Sequence, residues 1–314
     1  MLRRFSSIRA GALALVLTPS LLHAAPPANP ATTAVAVRSL LLDGQAIGRA
    51  VIAVGTNGHI LRSADNGATW QLAPAPVGAN LTGVCMIDAQ RGWAVGHDAV
   101  ILHTEDGGSS WAVQYRGPDL QASFLDVGFL DAQTGFAVGA YGLFLGTADG
   151  GRTWTQRQII ADDYFLNRIT VGPTGTIYIA GEHGTLLRST DRGATWTPIP
   201  TDYDGSFYGI LPLAERTLLA YGLRGRIYRS EDDGATWQLV PNEVRTLIMS
   251  AVRLRSGVVV FGGQARSFFV SRDDGRTVAP WSTGLTTGVA ELVEAPDGTL
   301  LALGEAGATS LPAP

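Results

Sequence analysis

The chain has 314 residues, of which 46% are apolar and 16% are charged, so it can form a large core and is too apolar for a disordered protein. All 23 basic side chains are arginines, and 27 acidic residues give a formal net charge of −4. This acidic balance argues against general binding to nucleic acid, which needs a basic surface. The single cysteine, Cys85, excludes an internal disulfide.

The first 24 residues have the pattern of an export signal. A basic segment, MLRRFSSIR, precedes the apolar run AGALALVLTPSLL, and LHA offers a small-residue cleavage site ending at Ala24. We therefore expect a signal peptide at 1–24, an N-terminal segment at 25–37 and one folded domain at 38–314. An uncleaved anchor is the alternative. An exported chain without disulfides, with a net charge of −7 after cleavage, is typical of a bacterial periplasm.

An eight-residue stretch, here called the box, recurs along the chain. The first copy is SADNGATW at 63–70, and five more end at Trp111, Trp154, Trp196, Trp237 and Val278, with spacings of 41, 43, 42, 41 and 41 residues. A second marker, an apolar run ending in glycine, occurs seven times, at Gly55, Gly96, Gly139, Gly181, Gly222, Gly262 and Gly304. A period near 42 residues is typical of a propeller with four strands per blade.

One repeat can be divided into four short strands at 81–88, 92–96, 100–104 and 111–115, each bounded by turn residues. The sequence therefore predicts an all-β, seven-bladed propeller of four-stranded antiparallel blades. A β-solenoid is the alternative, although its coils are usually shorter. The seventh repeat, at 291–310, has no box. We expect residues 30–37, PATTAVAV, to supply its outer strand and close the ring, or else a three-stranded last blade.

The box is predicted to be the hairpin between the third and fourth strands. Its aspartate can accept hydrogen bonds from the turn backbone, its glycine can adopt a positive φ, and its tryptophan can bury a large ring between blades. Six copies on six blades would not converge on one substrate, so we assign these residues a structural role: Asp65, Trp70, Asp106, Trp111, Asp149, Trp154, Asp191, Trp196, Asp232, Trp237 and Asp273.

The repeat unit LDVGFLDAQTGFAVGAYGLFLGTADGGRTW at 125–154 resembles that of the photosystem II stability/assembly factor family of BNR or Asp-box propellers, and the resemblance spans roughly 38–310. It implies a non-enzymatic assembly factor, lumenal or periplasmic, that contacts membrane-protein subunits. In bacteria without photosynthesis, an envelope or inner-membrane complex such as a transporter is the implied partner. The family carries an arginine-rich surface patch, which Arg224 and Arg245 resemble in part.

The turns between second and third strands are expected to share one face with the connections between blades. Their third residues differ from repeat to repeat: Asn57, Asp98, Tyr141, His183, Arg224, Gln264 and Ala306. Variable side chains on a constant backbone are typical of a recognition face, although unconstrained solvent positions would look the same. Residues 216–276 carry a net charge of +4, and the rest of the mature chain carries −11.

From these patterns we predict that a basic sector on blades five and six binds a protein partner. Arg226 and Arg266 are taken to occupy equivalent positions one blade apart. The predicted partner-binding residues are Arg224, Arg226, Arg245, Arg266, His183 and Tyr141. We expect no cofactor, no metal site, no nucleic acid, a monomer, and at most peripheral contact with a membrane.

Carbohydrate chemistry is the alternative function, because sialidases and some glycanases share the box. A retaining glycosidase needs two close carboxyl groups in one pocket, and a sialidase needs an arginine triad and an upstream Arg-Ile-Pro motif, which this sequence lacks. Adjacent Asp162 and Asp163 are the best candidate carboxylates, but neighbours on a loop normally point apart. A glycan-binding lectin is a further alternative.

Overall fold

The computed structural model describes residues 30–314, so the predicted signal peptide lies outside the described residues. Seven antiparallel sheets follow one another along the chain, six with four strands and the last with three. The first strands contact one another in a closed inner ring, and they are β1 (Leu41–Ile47), β5 (Leu81–Met86), β9 (Phe124–Phe129), β13 (Leu166–Val171), β17 (Phe207–Pro212), β21 (Ile248–Arg253) and β25 (Val289–Glu294). The prediction of an all-β, seven-bladed propeller is confirmed.

The remaining strands lie progressively further from the channel. The second strands are β2 (Ala50–Gly55), β6 (Gly92–Gly96), β10 (Gly135–Gly139), β14 (Ile177–Gly181), β18 (Leu218–Gly222), β22 (Val259–Gly263) and β26 (Leu300–Gly304). The third strands are β3 (Ile60–Ser63), β7 (Val100–Thr104), β11 (Phe144–Thr147), β15 (Leu186–Ser189), β19 (Ile227–Ser230), β23 (Phe268–Ser271) and β27 (Gly307–Leu311). The fourth strands are β4 (Gln71–Ala73), β8 (Ala112–Arg116), β12 (Thr155–Gln156), β16 (Thr197–Pro198), β20 (Gln238–Leu239) and β24 (Ala279–Pro280).

The core is divided into seven apolar clusters, one at each contact between neighbouring blades. Side chains alternate along each second strand, so Val51 and Ala53 face blade 7 while Ile52 and Val54 face blade 2. Because both faces of a blade are covered, the second strands are almost wholly buried and appear in the sequence as uninterrupted apolar runs.

The ring closes without strand exchange. Residues 30–37, predicted as a ring-closing strand, instead form a helix, α1 (Pro30–Val37), which contacts β4 and β27 and buries Ala36 between blades 7 and 1. The predicted ring-closing strand is therefore wrong, and blade 7 has the three strands that the sequence left open as the alternative. Proline suits the first turn of a helix, and the packing of Ala36 between blades 7 and 1 outweighs the strand preference of the four β-branched residues in this segment. Within residues 30–314, no helix has the length and hydrophobicity needed to cross a bilayer.

Candidate functional site

One face of the ring, here called the connector face, carries the turns between second and third strands together with the connections between blades. Hydrogen bonds join these two sets of loops. The amide of Gly142 donates to the carbonyl of Tyr164 at 2.8 Å, and the amide of Gly184 donates to the carbonyl of Gly205 at 2.8 Å. The boxes occupy the opposite face, so all six predicted partner-binding residues lie on the connector face.

Turns on this face place two consecutive residues in the left-handed region. The first of the pair is Tyr141 at φ 57°, His183 at φ 50° and Arg224 at φ 59° in three of the turns. A left-handed residue with a side chain costs about 1–2 kcal/mol, and glycine or asparagine would hold the same turn with less strain. The turn geometry therefore does not account for a tyrosine or an arginine here, and outliers of this kind cluster at functional sites.

Strand pairing corrects the predicted alignment of the fifth and sixth turns by one residue. Gly222 pairs with Phe207, and its counterpart in blade 6 is Gly263, which pairs with Ile248. Arg266, at φ 62°, therefore occupies the position of Gly225 rather than that of Arg226. The consecutive glycines 262 and 263 hide this shift in the sequence.

Three of the four predicted arginines surround one small cavity of about 220 Å³, here called the basic cleft. Arg224 and Arg226 line it from the turn of blade 5, and Arg245 lines it from the following connection. Asn242 ties the two loops together, because its side-chain amide donates to the carbonyl of Gly225 at 2.9 Å. The Arg245 guanidinium donates to the carbonyl of Val244 at 3.0 Å.

Arg266 lies one blade further on. It lines a larger groove of about 570 Å³ with Glu243 and Val244, so residues 243–245 form the ridge between this groove and the basic cleft. In the described part of the chain no carboxylate lies within 4.0 Å of any of the four guanidinium groups, whereas eight other arginines form such ion pairs. The four charges therefore remain available to an external anion, although exposed Glu243 lies among them.

Tyr141 and His183 do not join the arginines. Tyr141 is 70% exposed and sets its ring edge-on to Phe165, with 5.0 Å between ring centroids. His183 stacks on Tyr164 at 4.4 Å. These four side chains form an aromatic patch over blades 3 and 4, on the same face as the basic cleft but on different blades.

The sequence reasoning missed a ring of side chains around the channel axis. Each first strand has a bulge, and the equivalent positions that follow it hold Asp43, Gly83, Asp126, Arg168, Gly209, Ser250 and Glu291. We call these seven residues the axial ring. Comparing the same position across all seven repeats would have revealed charged residues within otherwise apolar strands.

Arg168 holds the axial ring together. Its Nη2 lies 2.7 Å from Glu291 Oε2 and 3.6 Å from Asp43 Oδ1, and its Nε lies 3.9 Å from Asp126 Oδ2. The acids also bind neighbouring blades, since Asp43 accepts from the amide of Val84 at 2.7 Å. Three buried carboxyl groups share one guanidinium, beside a channel cavity of about 570 Å³.

Burial changes the acidity of this ring. Desolvation raises the pKa of Asp126 to about 6, and the Arg168 charge only partly opposes it. Desolvation also raises the pKa of Asp43 well above its ordinary value. Two of the three acids therefore take up protons more readily than an exposed carboxyl group does, and the ring links blades 1, 3, 4 and 7 around the axis.

The boxes form the hairpins that the sequence predicts. In the first box, Asp65 Oδ1 accepts from the Thr69 amide at 2.8 Å and from the Ser63 hydroxyl at 2.7 Å. The hydroxyl and amide of Thr69 lower the pKa of Asp65 to about 2. The other box aspartates make the same bonds: Asp106, Asp149, Asp191, Asp232 and Asp273. The tryptophans pack into the clusters between blades: Trp70, Trp111, Trp154, Trp196 and Trp237.

The carboxylates considered for a glycosidase site lie away from the channel cavity. Asp162 and Asp163 are exposed on the connection before β13 and do not line the channel cavity. Across residues 30–314, no group of three His, Cys, Asp or Glu side chains is arranged to hold a metal ion.

The sequence matches the family model described as photosynthesis system II assembly factor YCF48 over residues 48–116 and 114–309. The chain therefore belongs to this family. A search of curated protein sequences finds no match.

Solved structures share the fold at low identity. A structure of YCF48 bound to D1 peptide has a TM-score of 0.71 and 20% identity, covering 87% of this chain and 93% of that one. YCF48 from Cyanidioschyzon merolae has a TM-score of 0.70 and 16% identity, covering 87% of this chain and 95% of that one. The structure of an enzyme, streptogramin B lyase, has a TM-score of 0.74 and 14% identity, covering 88% of this chain and 94% of that one. The last similarity shows that the fold alone does not separate binding proteins from enzymes.

Proposed function

We propose that this chain, a member of the YCF48 assembly-factor family, is a non-enzymatic periplasmic scaffold that binds an acidic segment of an envelope protein through its connector face. Family membership supports a protein partner, since a related structure contains a bound peptide. The signal-like sequence at 1–24 supports the location. An inner-membrane complex such as a transporter is the partner class, and the chain acts as a monomer.

The observation that carries the proposal is a set of four arginines on adjacent loops that have no carboxylate partner within residues 30–314. Arg224, Arg226 and Arg245 converge on the basic cleft, and Arg266 lies across the ridge. Guanidinium groups bind carboxylates with two parallel hydrogen bonds, so a cleft of this kind suits acidic side chains better than a neutral surface. Left-handed Arg224 and Arg266 add to the argument, because their turns would be less strained with glycine.

A charge-reversal variant tests the basic cleft. We expect Arg224→Glu with Arg245→Glu to abolish capture of the partner from solubilised envelope membranes, measured by quantitative mass spectrometry. Capture by the wild-type protein should weaken as salt rises, because charges on an exposed surface are screened over about 8–10 Å. The melting temperature should barely change, since surface substitutions usually fall within about 0.5 kcal/mol.

The matched control is Arg116→Glu with Arg152→Glu, which alters the net charge equally at two exposed arginines outside the basic cleft. Proteins lost from the cleft variant but retained by this control are partners of the cleft. Equal capture by wild type, control and cleft variant contradicts the proposal, and turnover of sialosides or xyloglucan by the purified protein contradicts its non-enzymatic part.

A further inference from the structure

The groove beside Arg266, here called the blade-6 groove, has an apolar floor. Phe268 begins the third strand of blade 6, and Trp281 and Leu285 lie on the connection to blade 7. The Trp281 ring meets Phe268 edge-on, with 5.9 Å between centroids, and both Trp281 and Leu285 are half-buried. With a volume of about 570 Å³, the groove is within the range of ligand pockets and larger than the basic cleft.

Trp281 is larger than the residues at the same position of blades 4 and 5. Its amide donates to the carbonyl of Phe268 at 3.0 Å, and the same bond is made by Arg157 in blade 3, Ile199 in blade 4 and Val240 in blade 5. Both of those aliphatic residues are buried in the core. Blade 6 instead holds a large ring at this position and leaves part of it exposed. Packing of the blades therefore does not require Trp281, because a smaller aliphatic residue fills the equivalent position.

Arg266 gives the groove its charge. It takes a left-handed position that glycine holds in four of the other turns: Gly58, Gly142, Gly184 and Gly225. Exposed Arg266 has no carboxylate within 4.0 Å of its guanidinium among the residues described here, although Glu243 also lines the groove. An apolar floor under a free cation fits an apolar side chain that has an acidic residue nearby in the same segment.

The blade-6 groove adjoins the basic cleft. Val244 lines the groove and the next residue, Arg245, lines the cleft, so a single extended segment crossing the ridge reaches both. We propose that the groove takes a large apolar side chain, such as leucine, from the same acidic segment that the basic cleft binds. This inference rests on the proposed function and specifies the partner as an acidic segment with one apolar anchor.

The test uses labelled synthetic peptides and the mature chain, residues 25–314. Each peptide carries three glutamates, a Gly-Ser spacer of two, four or six residues and then leucine, and its partner peptide has serine in place of leucine. Fluorescence anisotropy should show the best leucine peptide binding about 5- to 20-fold more tightly than its serine partner, the gain expected from burying one such side chain. A photoreactive leucine analogue should crosslink to Val244, Trp281 or Leu285.

Two variants separate the groove from the cleft. Trp281→Val, which copies Val240 of blade 5, should remove the leucine advantage and leave binding of the serine peptide unchanged. Leu120→Ser, which removes an exposed apolar side chain elsewhere on the connector face, should change neither peptide's affinity. Glu243→Gln should strengthen both peptides, because it removes the one negative charge on the ridge.

The possible results are distinguishable. Equal binding of leucine and serine peptides, with affinity still lost in Arg224→Glu with Arg245→Glu, overturns the anchor and leaves the proposed function standing. No salt-sensitive binding of either peptide contradicts the proposed function itself. Concentration-dependent dimerisation that Trp281→Val abolishes would show that a second copy covers the groove, and it would also overturn the anchor. If Trp281→Val does not fold, the affinities of the wild-type protein for the leucine and serine peptides and the crosslink positions still show whether the groove binds the leucine.

Discussion

Aspartate residues in this propeller have pKa values shifted in opposite directions, and the surroundings of each carboxyl group determine the direction. In the box, Asp65 is exposed, and bonds from the hydroxyl and amide of Thr69 stabilise its charged form and lower its pKa to about 2. In the axial ring, burial raises the pKa of Asp126 to about 6, even though two backbone amides and Arg168 favour its charged form. Desolvation outweighs hydrogen bonding only where the carboxyl group is removed from water.

The pKa of Asp126 predicts how stability changes with pH. Its pKa is higher in the folded chain than in the unfolded one, so the folded state binds more protons between about pH 4 and pH 6. Stability should therefore fall as pH rises through this window, by on the order of 1–3 kcal/mol from this residue. Urea unfolding at pH 5.0 and pH 7.5 should show a smaller difference for Asp126→Asn than for wild type.

Asp65→Asn is the control for this measurement. Because the pKa of Asp65 is lowered in the fold, its contribution is complete above about pH 4 and is lost only at lower pH. The control should therefore lower stability equally at both pH values. An unchanged pH dependence in Asp126→Asn would contradict the assigned pKa.

At the scale of the element, the box hairpin links a blade to its predecessor. Gly193 of the fourth box is left-handed at φ 80°, and a Cβ atom there would lie 2.2 Å from the Phe136 ring of blade 3. Trp196, three residues on, packs edge-on against Phe136 and Phe144, with centroid distances of 6.1 and 5.5 Å. The hairpin therefore requires glycine for close approach and supplies an aromatic ring to the same contact.

Replacing the Trp196 side chain by a smaller one should lower the stability of the fold. We expect Trp196→Ala to lower the free energy of unfolding by about 3–4 kcal/mol, as other large-to-small core substitutions do. Trp196→Val should cost less, because blade 6 already carries Val278 at this position. Chemical denaturation of the three proteins gives the comparison, and equal stability of Trp196→Ala and wild type would show that the ring contributes no packing energy.

At the scale of the whole molecule, the ring closes through side-chain contacts. Blade 7 is formed by β25–β27 and blade 1 follows α1, so within residues 30–314 no sheet combines strands from both ends of the chain. The seam is made by side chains such as Leu301 and Leu303 of blade 7 and Leu41 and Leu61 of blade 1. The contact between blades 7 and 1 should consequently open more readily than the other six.

Leu303→Ala tests this asymmetry. Both Leu303→Ala and the control Leu187→Ala, between blades 3 and 4, should lose about 2–5 kcal/mol of global stability. Only Leu303→Ala should also accelerate native-state hydrogen exchange in β1 and β25–β27 ahead of the remaining strands, because local openings expose the least constrained unit first. Uniform acceleration in both variants would show that the seam is no weaker than its neighbours.

Much of the propeller was predictable from the sequence, because the same short pattern recurs in each blade. The 42-residue period, the strands near 81–116 and the hydrogen-bonded boxes depend on residues close in the chain, and seven copies make the pattern clear. The excess of arginine over 216–276 also predicted where Arg224, Arg226 and Arg245 would meet, since loops of neighbouring blades necessarily share a face.

Tertiary structure decided what local patterns leave open. The axial ring unites Asp43, Asp126, Arg168 and Glu291 from four blades, and their burial, hence their pKa values, exists only once the ring closes. The helix at 30–37 and the one-residue shift at Gly263 depend on packing and pairing, which outweigh short-range pattern. The groove beside Trp281 also needs three separate loops. Repetition determines the elements, while contacts between distant residues determine which surfaces and charges come together.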